Sequence, residues 1–146
     1  MKVLALAVCM SVGCGQKVDT TDLAPIVDYQ NWISIETLAS GSGHGDTHRT
    51  VFINDIARTR DGGDYPMGSV FVKEIRERDG DQPGDLLYLG IMRKLEETPP
   101  GGTLHEDWLF TDADNLDSEE VYFEWCWSSC HAQAPIDGAW YDYGVY

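Results

Sequence analysis

The chain has 146 residues, with 10 Lys and Arg against 25 Asp and Glu and a formal charge of −15. The length suits one domain with a core of its own, and a hydrophobic content of 42% is that of a soluble globular protein. So acidic a chain lacks the Lys/Arg footprint that phosphates need, which excludes a nucleic-acid partner and disfavours docking on anionic lipid.

Residues 1–13 read as a signal peptide. Met1-Lys2 is a positive start, and Val3-Leu4-Ala5-Leu6-Ala7-Val8 is an apolar stretch too short to span a bilayer. Ser11-Val12-Gly13-Cys14 resembles a bacterial lipobox, which implies a lipid anchor on Cys14 and a periplasmic or outer-membrane-anchored protein. Plain secretion with cleavage nearby is the other reading. Residues 14–27 then form a polar tether.

Asp28 can cap a short helix over Tyr29-Gln30-Asn31-Trp32, with Trp32 turned to the core. Residues 40–45 are loop by composition. From His48 the period becomes two: Arg49, Val51 and Ile53 alternate with Thr50, Phe52 and Asn54, which predicts a strand. Asp55-Ile56-Ala57-Arg58 predicts a helical turn. A strand over 69–78 places Phe71, Lys73 and Ile75 on one face and Val70, Val72 and Glu74 on the other. A turn at 79–84 leads into a returning strand over 86–95, an antiparallel hairpin. A fourth strand covers 105–110 and holds Trp108, the acidic run 112–120 reads as a solvated surface turn or helix, and 125–133 can form a short helix. The fold class is α+β: mainly antiparallel β-sheet with a few short helices.

With Cys9 in the signal and Cys14 lipidated, Cys126 and Cys130 are the cysteines left to the folded domain. Outside the cytoplasm such a pair ends as a disulfide, as metal ligands or as a covalent cofactor attachment. Cys126-Trp127-Ser128-Ser129-Cys130-His131 is close to a c-type haem attachment signature, in which two thiols form thioethers and the following histidine ligates the iron. Three residues separate these cysteines where that signature has two, so attachment through one thioether or two stays open. The alternative is a haemless secreted binding module with a Cys126–Cys130 disulfide.

Further landmarks accompany this segment in order: His44-Gly45, His48-Arg49-Thr50-Val51-Phe52-Ile53-Asn54, Tyr65-Pro66-Met67-Gly68, Val72-Lys73-Glu74, Met92-Arg93-Lys94, Asp107-Trp108 and Asp142-Tyr143. Together they resemble the cytochrome P-460 and beta-type cytochrome c′ family, small bacterial periplasmic haem proteins, from Trp32 to the C-terminus. The resemblance implies a haem domain over 28–146 and a haem c held near the C-terminus by Cys126 and Cys130. It also implies five-coordinate iron on His131, an open distal side and often a homodimer. In cross-linked members a lysine in the Val-Lys-Glu position bonds to the porphyrin, and Lys73 matches it. Arg49 matches an arginine near the pocket, and Lys73 and Arg49 are the candidate catalytic residues.

Phe71 and Met92 would line the distal pocket. Hydroxylamine-oxidising members carry a carboxylate where Met92 stands, and a thioether cannot act as a base. The expected ligand is therefore NO or CO ahead of hydroxylamine. The enzymatic variant would oxidise hydroxylamine or NO and pass electrons to a partner cytochrome. A loop zinc site drawn from His44, His48, His105 and His131 is the remaining metal reading. No nucleophile elbow or phosphate-cradling loop occurs.

Overall fold

Alternating side chains build a sheet in which each strand pairs with the one before it. The computed structural model describes residues 15–36 and 44–144. The expected signal peptide and Cys14 lie outside the described residues. Six strands run in sequence order, all neighbours antiparallel: β1 (Ile33–Glu36), β2 (His48–Ile53), β3 (Val70–Asp79), β4 (Gln82–Lys94), β5 (Trp108–Ala113) and β6 (Val121–Tyr122). Two short helices, α1 (Asp55–Arg58) and α2 (Glu124–Ser129), and two 3-10 turns are the other elements among the described residues. The architecture is the α+β, mainly antiparallel one expected from the sequence.

Directly opposed residues in antiparallel strands point to the same side, so the register defines two faces. One face carries three successive rows: Ile53, Phe71, Met92 and Phe110; then Val51, Lys73, Gly90 and Asp112; then Arg49, Ile75 and Tyr88. Its apolar members pack with Tyr65, Trp108, Ala139 and Tyr143 under the C-terminal segment. The opposite face, with Val70, Val72, Leu89 and Ile91, packs against Ile26 and Tyr29 of the N-terminal segment. The predicted split of β3 into a Phe71-Lys73-Ile75 face and a Val70-Val72-Glu74 face is the observed one.

Local chemistry fixes the corners. The Asn54 side chain accepts the Ala57 N–H at 3.0 Å as the cap of α1 and donates to the Gly68 carbonyl at 2.9 Å, tying that helix to the entry of β3. Gly80, at φ +63°, supplies the left-handed residue of the two-residue turn between Asp79 and Gln82.

The structure departs from the sequence expectations in several places, among them the unexpected strand β6 and the stretch expected as a tether, where Lys17 bridges Val121 and Val18 is buried. Asp28 does not cap: Tyr29–Asn31 is a 3-10 turn with no side-chain cap bond. The edge strand β1 was not foreseen, because four residues give too little alternation. The strand expected over 105–110 is β5, which runs from Trp108 to Ala113, three residues beyond the expected end, so the acidic run is not all surface. Asp112 lies inside β5 opposite Gly90. Glu120 is buried, holding Arg93 in a bidentate pair at 2.6 and 2.8 Å and accepting from Thr111 at 2.5 Å.

Candidate functional site

Between the first sheet face and the segment 126–143 lies a cavity of about 290 Å³. Every residue proposed for the haem site borders it: Arg49 from β2, Phe71 and Lys73 from β3, Met92 from β4, and Cys126, Cys130 and His131 from the wall. His44, which the sequence offered only for a loop zinc site, and Asp112, which it did not offer, border it too. The half-exposed Trp140 and Tyr141 stand at its rim.

The wall is built by a helix that stops at the right residue. Cys126 and Cys130 are four apart across α2 and its C-cap, which puts them on one side of the turn. The Cys130 N–H still donates to the Cys126 carbonyl, but the backbone of Cys130 (φ −136°, ψ −59°) has left the helix, and His131 opens a 3-10 turn. That break brings His131 to the cavity beside both thiols, despite the extra residue in the motif. Both cysteines are free in the structure. Burial, reinforced by Asp112, pushes the Cys126 thiol up to about 12.

His131 is oriented by its backbone partner. Its Nδ1 lies 2.6 Å from the Gly138 carbonyl, which can only accept, so Nδ1 carries the hydrogen and Nε2 keeps its lone pair. Burial lowers the ring to about 4; the Gly138 bond works against this, and Lys73 adds to it. The imidazole is neutral at pH 7, the form that binds a metal.

The carbonyl is held in turn by a buried carboxylate. Asp137 (φ +47°) and Gly138 (φ +76°) form the tight turn between Ile136 and Ala139. Asp137 accepts from Lys94 Nζ at 2.5 Å, from the Tyr65 N–H at 2.7 Å and from Trp108 Nε1 at 3.3 Å. A Cβ on Gly138 would sit 3.3 Å from the Trp108 ring. The chain of contacts from Lys94 through Asp137 and Gly138 to His131 is the kind of outer support that aims a ligating histidine.

The floor is polar. Lys73 and Asp112 flank Gly90 in one row, and the missing side chain leaves open space between them. Burial, then the nearby Arg49 charge, holds the Lys73 amine below its ordinary range, and among the described residues no carboxylate pairs with it. Burial pushes the Asp112 carboxyl up to about 6. Arg49 donates to the Gly45 carbonyl at 2.7 Å and to Thr47 Oγ1 at 3.2 Å. Phe71 and Met92 thus border one end of the cavity, and an amine and a carboxyl border its middle.

The four histidines do not converge. His44 and His131 reach the cavity, His105 bonds the Tyr122 hydroxyl at 2.8 Å and stacks on Trp127, and His48 is buried in the strand with the opposite side-chain parity. Among the described residues no three His, Cys, Asp or Glu side chains group as a metal site. No protein-family model matches the chain, and no curated protein matches it.

Proposed function

We propose that the chain is an exported c-type haem protein, anchored through Cys14 in the periplasm or outer membrane, whose iron takes a small ligand. The observation that carries the reading is the pairing of one free imidazole lone pair with two thiols at the same aromatic-walled cavity. The donor set fits haem c: the Cys126 and Cys130 thiols would form the thioethers, and His131 Nε2 would ligate the iron. A single protein ligand suffices for iron in a porphyrin, so the site needs no cluster of His and acidic residues.

Bound there, haem would supply an iron that binds small ligands and exchanges electrons. Gly138 and Asp137 hold His131 in the ligating tautomer. Lys73, uncharged more readily than a surface lysine, is a nucleophile suited to a porphyrin bond. Asp112, titrating near 6, can accept a proton close to neutral pH and fills the role that Met92 cannot. This favours a protic nitrogen ligand such as hydroxylamine over NO or CO, which carry no proton to lose. Oxidation of that ligand, with electrons leaving to a partner cytochrome, is the activity proposed.

The test is expression of the full chain with a cytochrome c maturation system, then denaturing electrophoresis and a haem stain. A stained band at the mass of the chain is expected, and it should be lost in Cys130→Ser. An unstained wild-type band overturns the reading and leaves the haemless module.

A further inference from the structure

His44 borders the same cavity as His131, and the proposed grip on haem does not use it. His131 rests on Phe110, with ring centroids 4.9 Å apart, whereas His44 lies over Tyr88 at 6.1 Å. Phe110 and Tyr88 belong to the two outer rows of the sheet face, offset by four residues, roughly 13 Å along the strands. The row of Lys73, Gly90 and Asp112 lies between them. The two imidazoles thus border the same open floor over different rows, and the His131 charge is among those that lower His44.

Their hydrogen bonds give them opposite characters. His44 Nδ1 lies 2.7 Å from the Tyr88 hydroxyl. Burial and the neighbouring Asp112 push that hydroxyl up to about 12, so it keeps its proton. Among the described residues His44 is its one hydrogen-bond partner, and with the hydroxyl as donor Nδ1 is the acceptor. Burial, helped by Lys73 and Arg49, lowers His44 to about 4, so the ring is neutral and its single hydrogen falls on Nε2. His131 offers a lone pair; His44 offers an N–H.

We propose that His44 is a ligand-binding residue, whose Nε2–H, set by Tyr88 as a positioning residue, hydrogen-bonds the acceptor atom of a small ligand in the cavity. The proposal rests on the haem reading above and deepens it. It selects anions and ligands with a basic nitrogen or oxygen, and it gives little to carbon monoxide, a poor acceptor.

The experiment compares fluoride binding to the ferric protein with carbon monoxide binding to the ferrous protein, with haem content measured separately on every variant as the pyridine haemochrome. His44→Leu should weaken fluoride about tenfold, the effect of losing a charge-assisted hydrogen bond, and leave carbon monoxide within about twofold. His44→Gln, which keeps an N–H, should recover most of the fluoride affinity. Tyr88→Phe should lose a smaller part of it. Equal changes for both ligands in His44→Leu overturn the proposal, because they mean reshaping of the cavity alone. Unchanged fluoride affinity in haem-loaded His44→Leu overturns it as well. So does a wild-type low-spin ferric spectrum that this variant abolishes, since His44 would then be an iron ligand. A wild-type protein that carries no haem overturns the underlying reading, and the haemochrome identifies that outcome by itself.

Discussion

Lys73 on β3 and Lys94 on β4 are both withdrawn from water in the same sheet, and they are treated in opposite ways. Lys94 is 4% exposed, bonded to Asp137 and placed over the Trp108 ring at 5.6 Å. Lys73 borders a cavity with no carboxylate partner among the described residues. A buried charge that is paired holds structure together; one left without a counter-charge is held away from its ordinary protonation and is available for chemistry. The same division separates Glu120, locked to Arg93, from Asp112, which burial alone drives towards 6.

The sharpest way to break this contrast is to remove one side of each arrangement. Asp137→Ala should cost about 3–5 kcal/mol in urea unfolding, since it strands the Lys94 charge in the core. Lys73→Met should leave stability unchanged or raise it, because burial opposes the charged amine there. A Lys73→Met loss as large as that of Asp137→Ala would erase the distinction. Next in size, on the haem proposal, His131→Ala should keep covalently bound haem while changing its absorbance spectrum through loss of the ligating nitrogen.

A pH series separates the cavity groups by sign. Asp112 has a folded value raised to about 6, so between its ordinary value and 6 the folded state holds the extra proton, and stability falls as pH rises through that window. His44 is lowered to about 4, so the unfolded state holds the extra proton between 4 and 6.5, and stability falls as pH drops there. Asp112→Asn should therefore be more stable than the wild type at pH 7, with the gain vanishing near pH 4 in urea midpoints of the haem-free chain. The smallest effect is expected from Gly90→Ala. Its Cβ would meet only Asp112 Oδ1, at 3.7 Å, so stability should shift by less than about 1 kcal/mol while ligand association slows as the floor fills.

The face of β3 with Phe71 and Lys73 is legible in the sequence because strand alternation is local, and the cysteine–histidine segment is legible because its chemistry is contiguous. Asp112 is not legible. Its neighbours are acidic, and only pairing with Gly90, a residue from another strand, turns it inward. His44 sits in a glycine-rich stretch that reads as loop, and its partner Tyr88 lies on β4. The Gly138 carbonyl that selects the His131 tautomer has no sequence signature, since any residue could offer it. The support from Asp137 depends on three donors scattered from Tyr65 to Trp108.

The order of strands along the chain bears on assembly. A meander with no crossover can close progressively from its first hairpin, each strand docking on one already present. The turn that carries His131 comes after the sheet in the chain and has nothing to rest on until β5 is paired. A polypeptide threaded N-terminus first thus presents a finished floor with one side open. A bulky planar guest can be laid on that floor before the histidine folds over it, without prising apart a completed core.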